Sequence, residues 1–368
     1  MGRTVARHQR QDDRWRIRTS TQRRGVALTP METRYDIILR TAQLADELGY
    51  EAFALPEGWG LDSTLLLTEA ASRTRRIKLV AGILSVWGRT PGTLAMTAAT
   101  LHRLSGGRFV LGLGPSTSAL VEGFHDVRFA HPADKLRETT TKVRALLAGE
   151  RALLDATPGS RPLRLGQPAA PDLPIWLAAM GDRTVRVAAE LADGWFPLFV
   201  ARDQVLDRVH TLRKDREAAA LRSEPLTVVA GPVTVATDDA AVARRISASC
   251  IAWYLSAMGD VYARFVTGQG YGDAVQAILE ANPHPRPDGG VVPAEAQVVL
   301  DQFTAHGTPS QVRDQLAGWN GAVDVAMIGL PPGLPWVTIE ATLRAAAPGA
   351  PSGKHDDLRS PRRSVGPA

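Results

Sequence analysis

The sequence predicts a single (β/α)8 barrel, and three observations predict it. Short apolar, β-branched runs recur along the chain, each too short for a helix, and between them the apolar residues fall at helical spacing. The runs are apolar on both faces, as parallel strands covered by helices must be. Eight such strands can be counted, and right-handed crossovers repeated that often close a parallel sheet on itself.

Strand one is placed at residues 25–28, and its helix spans residues 35–48, with Ile37, Ile38, Leu44, Ala45 and Leu48 on one face and Gly49 as the stop. Strand two covers residues 51–55, and residues 61–72 are helical. Strand three (residues 77–85, IKLVAGILS) leads through Val86, Trp87 and Gly88 to Pro91, which opens the next helix. In that helix Leu94, Ala98, Leu101 and Leu104 repeat, and Ser105-Gly106-Gly107 ends it. Strand four ends at Gly114. Gly112 and Gly114 are read as admitting a ligand to the backbone, and Pro115, Ser116, Thr117 and Ser118 as a turn rich in hydroxyls. A helix follows at residues 133–147, then a Pro- and Gly-rich excursion at 151–171. Strand five is residues 174–179, strand six lies near 194–197, strand seven is 226–235 and strand eight is 323–330. Residues 240–281 exceed one crossover helix, so a helical insertion late in the chain is expected.

A chain of 368 residues that is 44% hydrophobic can bury one large core. No run of 18 apolar residues occurs, so no transmembrane span is expected, and no apolar segment follows the first arginines as a secretory signal requires. The lone Cys250 forms no internal disulfide; it is expected to be buried, and the chain to be cytoplasmic. Residues 1–24 carry a net +6 and residues 351–368 a net +2 against +5 for the whole chain, so residues 25–350 carry −3. The barrel is therefore assigned to residues 25–347, between a disordered basic extension (1–24) and a disordered tail (348–368), and nucleic acid is not an expected partner.

The strand ends carry the candidate chemistry. Ala178, Ala179, Met180, Gly181, Asp182 and Arg183 lead into a helix, and free amides at a helix start bind phosphate. The alternative is an ordinary turn with Asp182 as its N-cap. Glu57 ends strand two and is the acid/base candidate, with its proton affinity raised if Trp59 and Trp87 exclude water; the alternative is an ion pair with Arg89. No His, Cys and carboxylate cluster has metal-ligand spacing, so no metal is expected. The absence of G-x-S-x-G and G-x-x-x-x-G-K-[ST] removes support for hydrolase and nucleoside-triphosphatase readings.

The stretch from Gly82-Ile83 through Arg89-Thr90-Pro91 to AATLHRLSGGRFVLGLG (98–114) resembles the bacterial luciferase-like superfamily. Within it, the branch similar to methylenetetrahydromethanopterin reductase, whose members use the deazaflavin coenzyme F420, is nearest. The resemblance continues through Glu57-Gly58-Trp59-Gly60, Leu120 to Phe124, Leu177 to Gly181 and Ala192 to Trp195, and covers roughly residues 25–345. It implies a cis peptide at Gly82-Ile83 backing the cofactor ring and a hydrogen bond from Ser85, where relatives often carry Asn. It also implies cofactor contacts from Gly114, Ser116, Thr117, Ala179, Met180, Gly181, Asp182 and Arg183. Trp59, Trp87 and His125 are expected to face the substrate, although His125 also suits a hydrogen-bonded structural role. Relatives elsewhere in the superfamily place His after the acid; here Gly58 follows Glu57.

These readings converge on an oxidoreductase that moves a hydride between coenzyme F420 and a small organic substrate, the cofactor carrying the hydride and the barrel supplying position and electrostatics. An FMN-dependent monooxygenase using oxygen is the alternative. A barrel without catalysis, serving as a binding or dimer partner, is the third reading. A second copy of the chain is the expected protein partner.

Overall fold

The computed structural model describes residues 22–219 and 224–349. Among them the strands are β1 (Arg24–Ala27), β2 (Ala52–Leu55), β3 (Lys78–Ala81), β4 (Leu84–Ser85), β5 (Phe109–Gly114), β6 (Ile175–Leu177), β7 (Gly194–Trp195), β8 (Thr227–Ala230), β9 (Val233–Ala236), β10 (Thr304–Gly307) and β11 (Val325–Gly329). Every pairing between them is parallel. β1 lies between β2 and β11, with Val26 opposite both Phe53 and Ile328, so the sheet closes. Around the ring the order is β1, β2, β3 with β4, β5, β6, β7, β8 with β9, and β11, giving the eight positions of a (β/α)8 barrel.

The interior is filled by pairing large side chains with glycines. Trp176 occupies the space a Cβ on Gly194 would need, 2.4 Å away, and Met327 stands 2.7 Å from the corresponding point on Gly25. These two side chains join Ala52, Ala54, Val80, Val110, Val229 and Val325 inside the barrel, while the helices bury a larger apolar layer outside it. The sequence signals for the helix Pro91–Leu104 hold in detail: Thr90 caps it by accepting from the Thr93 amide at 3.2 Å, Pro91 is its first residue, and Gly106 and Gly107 end it with φ of 63° and 86°.

Three features differ from expectation, and a fourth, the break in strand three, follows it. β1 begins at Arg24, which is 3% exposed and therefore part of the barrel rather than of a basic extension; residues 1–21 of that extension lie outside the described residues. Strand three is broken between β3 and β4 at a cis Gly82–Ile83 peptide, as the resemblance implies. Strand seven is broken between β8 and β9 at Gly231-Pro232. There β11 comes so close that a Cβ on Gly231 would sit 2.2 Å from the Met327 carbonyl oxygen, and Pro232 has no amide to continue the ladder. β10 was not foreseen, because Thr-Ala-His-Gly is not an apolar run; it adds to β9 outside the ring, with His306 opposite Val235.

Between β9 and β10 the chain forms helices Ala240–Ala257, Val261–Val266 and Gly272–Ala281, with a π-helical turn at Thr267–Tyr271, and then Gln297–Phe303. They share a second apolar cluster that includes the buried Cys250. Among the described residues no helix is long and apolar enough to cross a membrane.

The end of the barrel away from the site is tied by complementary charges on one turn. The Asp46 carboxylate accepts the amides of Arg75, Arg76 and Ile77 at 2.9, 2.9 and 2.7 Å, and the Arg108 guanidinium donates to the carbonyls of Ala71, Thr74 and Ile77. Burial opposes ionisation of Asp46, yet the three amides and the Arg76 charge outweigh it and hold its pKa below the ordinary value. A depressed carboxylate pKa adds stability above the unfolded-state pKa and loses it on acidification. Asp46→Asn is expected to lower unfolding free energy by about 2 kcal/mol at neutral pH, with the gap to the parent closing below about pH 4 in denaturant titrations run across pH.

Candidate active site

A cavity of about 370 Å³ opens where the strands end. Its walls come from residues just past β1 (Leu28, Pro30), β2 (Pro56, Glu57), β3 (Gly82, Ile83), β5 (Pro115 to Ser118), β6 (Ala178, Met180, Gly181) and β7 (Phe196 to Phe199). The C-terminal mouth is where this architecture assembles chemistry from separate loops.

Of the residues named from sequence, Glu57, Trp59, Gly82, Ile83, Gly114, Ser116, Thr117, Met180 and Gly181 line this cavity. Ser116 takes a left-handed backbone, φ 58°, and Thr117 caps the short helix Ser118–Gly123 by accepting from the Leu120 amide at 3.4 Å. Gly181 is the N-cap of the helix Asp182–Leu191, and no side chain caps that helix, so its first amides remain free toward the cavity. A Cβ on Gly181 would meet nothing within 4 Å.

The glycines of β5 have a different role from the one expected. A Cβ on Gly112 would lie 1.9 Å from the Ala81 carbonyl oxygen, and one on Gly114 would lie 2.9 Å from Ile83 Cγ1. Their missing side chains make room for the displaced strand and for Ile83, and Gly114 also borders the cavity.

Six other predicted contacts fall outside the cavity lining. Ser85 is buried, its Oγ accepting from the Trp87 amide at 3.2 Å. Trp87 donates its indole N–H to the Pro115 carbonyl at 3.0 Å and stacks 5.7 Å from Phe129, bracing the loop after β5. His125 packs beneath Gly88, 3.0 Å from the point a Cβ there would take, and edge-on against Phe124. Ala179 is buried and its carbonyl accepts from the Trp195 indole at 2.8 Å. Asp182 is the first helical residue rather than the N-cap, and Arg183 points to the surface, paired with Asp134 at 3.1 Å.

Glu57 also departs from the proton-donor reading. Its Oε1 accepts from Arg89 Nε and Nη2 at 3.0 and 2.6 Å, and its Oε2 accepts from the Ser85 amide at 3.3 Å. Trp59 is 44% exposed and Trp87 lies off the cavity, so the expected dry enclosure is not formed. Both carboxylate oxygens of Glu57 are thus engaged by protein donors. Burial disfavours the Arg89 cation, but the hydrogen bonds and charge of Glu57, joined by Asp62, raise its pKa above the ordinary value. The pair fastens the connection after β4 to the end of β2.

The residues that sequence reasoning missed lie on the other arc of the mouth: Phe196 and Phe199 after β7, and Tyr254, Met258 and Tyr262 from the helices after β9. Phe196 was signalled by its place just past a strand. Tyr254 and Tyr262 had no such signal, since their position depends on how the inserted helices pack. Among the described residues no group of His, Cys, Asp and Glu is arranged to hold a metal ion.

A model of the family described as luciferase-like monooxygenase matches residues 17–324. The chain belongs to the luciferase-like monooxygenase family. It is an oxidoreductase of that family. A relative from Mycobacterium tuberculosis, assigned by its name to the coenzyme F420-dependent oxidoreductases, is 32% identical over 314 residues, covering 77% of this chain and 87% of the relative. Two solved structures share the fold. One is a coenzyme F420 dependent tetrahydromethanopterin reductase from Methanopyrus kandleri, with TM-score 0.71, 19% identity and coverage of 89% of this chain and 98% of that one. The other is the oxygenating constituent of 3,6-diketocamphane monooxygenase from Pseudomonas putida in complex with FMN, with TM-score 0.65, 16% identity and the same coverages. Luciferase-like barrels of this shape thus include one named for F420 and one holding FMN.

The Glu57–Arg89 pair can be tested without any ligand. Arg89→Met is expected to destabilise the chain by about 1–3 kcal/mol, because it strands a half-buried carboxylate, whereas Glu57→Gln, which keeps an acceptor for Arg89, is expected to lose about 1 kcal/mol or less. Chemical denaturation of the two variants measures the difference.

Proposed function

We propose that this luciferase-like oxidoreductase depends on coenzyme F420 and moves a hydride between it and a small organic substrate. The observation that carries the reading is the uncapped helix start at Gly181, opening on a cavity whose wall includes the displaced Gly82–Ile83 segment, in a chain 32% identical to a relative named for F420. The residues present suit a phosphorylated cofactor. Free amides at the start of a ten-residue helix offer a partial positive charge, and the space beside Gly181 is open to an anion. Ser116, Thr117 and Thr184 also line the cavity, the Thr184 hydroxyl donating to the Gly181 carbonyl at 2.7 Å. Ile83 presents an apolar surface, fixed from behind by the Glu57 amide, which donates to the Ile83 carbonyl at 3.0 Å. Bound there, a reduced deazaflavin would supply a hydride, carbon replacing the flavin nitrogen that makes reduced FMN reactive toward oxygen. Glu57 and Arg89 hold this wall in place.

The expected second copy of the chain is supported by apolar surface. Leu65, Met96 and Leu104 are 70%, 51% and 60% exposed on two helices that pack side by side. Light scattering is expected to give twice the mass of one chain.

Fluorescence titration with F420 and, separately, FMN tests the cofactor. F420 is expected to bind in the micromolar range and FMN more weakly, with turnover proceeding anaerobically once a substrate is supplied. Gly181→Val, which the open space accommodates, is expected to weaken F420 binding at least tenfold, about 1.4 kcal/mol, without loss of the fold. Strict dependence on oxygen and reduced FMN, with no binding of F420, would overturn the reading.

A further inference from the structure

The arc of the mouth formed by the loops after β7, β9, β11 and β1 is built unlike the arc at Gly181. Three rings meet there nearly at right angles: Tyr254 lies 5.4 Å from both Phe199 and Tyr262, and Phe199 lies 5.6 Å from Tyr262. Such edge-to-face contacts hold a wall rigid. Phe199 is kept in a left-handed backbone, φ 55°, which bulky residues rarely adopt. The buried Gln269 imposes it, donating to the Phe199 carbonyl at 2.8 Å and accepting from the Ala201 amide at 2.9 Å. Gln269 itself sits at the kink between the helices Val261–Val266 and Gly272–Ala281, where Gly270 takes φ 93°.

Two properties of this wall point to a ligand. The first concerns charge. Among the described residues lining the cavity only Glu57, Asp260 and Arg264 are charged, and each is already paired: Glu57 with Arg89, and Asp260 with Arg264 at 2.9 Å at the solvent-exposed rim. No unpaired side-chain charge lines this arc for an ionised substrate, the free helix amides lying on the other arc at Gly181. The second concerns hydrogen bonds. The Tyr254 side chain is 5% exposed, and neither its hydroxyl nor that of Tyr262 has a hydrogen-bond partner among the described residues, although both tyrosines line the cavity. Burial pushes the Tyr262 phenol up to about 12 and the Tyr254 phenol further from its ordinary value, so both stay protonated and able to donate. Neither hydroxyl is among the buried unpartnered atoms, so both open on the cavity, where a ligand oxygen can take the place of water as their acceptor.

We infer that this arc binds an uncharged, largely apolar substrate through a single acceptor oxygen, carbonyl or hydroxyl, that takes a hydrogen bond from Tyr254, with Tyr262 beside it. The inference rests on the oxidoreductase site proposed above and assigns its substrate class and recognition residue. The phenyl–C(=O)–CH₃ shape provides a probe set: acetophenone, the carboxylate 4-acetylbenzoate, and cumene, which keeps the shape without the oxygen. Their binding to the purified full chain is read by ligand-observed NMR and by quenching of tryptophan fluorescence, with and without F420. Acetophenone is expected to bind at least tenfold more tightly than 4-acetylbenzoate. Tyr254→Phe is expected to weaken acetophenone about fivefold while leaving cumene unchanged, and Tyr262→Phe to have a smaller effect.

Equal binding of the neutral and ionised ketones, no binding of acetophenone, or identical affinities in the parent and Tyr254→Phe would overturn the inference. The comparison of neutral with ionised ketone requires no variant, so it decides even if Tyr254→Phe is unstable. F420 binding with no acetophenone binding defeats this inference alone. Acetophenone binding with no response to F420 defeats the cofactor reading alone.

Discussion

The mouth of this barrel depends on one close approach, that of the Ala81 carbonyl to Gly112. No residue with a side chain fits there, because its Cβ would be 1.9 Å from that oxygen. The approach ends β3 early and displaces Gly82 and Ile83 from the regular ladder, which resumes only at Leu84 opposite Leu113. Ile83 then turns its side chain over Gly114, and its carbonyl receives the Glu57 amide. Glu57 in turn reaches the Ser85 amide and Arg89. A single missing methyl group on a neighbouring strand thereby sets the wall of the cavity and the ion pair behind it.

Where the physics is local, the sequence was readable. Parallel strands buried on both faces must be apolar throughout, so Phe109 to Gly114 and Ile175 to Leu177 stand out, and Pro91 and the Gly106-Gly107 pair punctuate a helix wherever they occur. Where the physics is a contact between distant segments, it was not. Strand seven looked continuous because the cause of its break, the Met327 carbonyl against Gly231, is about a hundred residues away. β10 owes its strand conformation to the free edge of β9 rather than to Thr304 to Gly307. The site divides along the same line. The hydroxyls after β5 and the helix start after β6 were found from their place at strand ends, and Gly82-Ile83 from the family resemblance. Tyr254 and Tyr262 could not be, since a tyrosine on an apolar helix reads the same whether it faces a core or a cavity. Glu57 and Ser85 were located at the right strand ends but given roles that Arg89 and Trp87 had already taken.

Charge is handled differently at the two ends of the barrel. Away from the mouth, Asp46 and Arg108 spend their charge on backbone groups of one turn, closing polar groups that would otherwise be buried without partners. At the mouth, charges are paired with each other and the free hydrogen-bonding capacity is left to neutral groups, the helix amides at Gly181 and the phenols of Tyr254 and Tyr262. Neutral donors bind without the desolvation penalty of a bare ion, and they leave the cavity's overall polarity low.

The π-helical turn at Thr267–Tyr271 gives this arrangement a modular character. Gln269 is a link through which the helices after β9 fix the loop carrying Phe199, while the Gly82–Ile83 segment and the helix start at Gly181 hang on β2, β3, β5 and β6. The aromatic wall can therefore be reshaped through residues that belong neither to the barrel strands nor to the opposite arc.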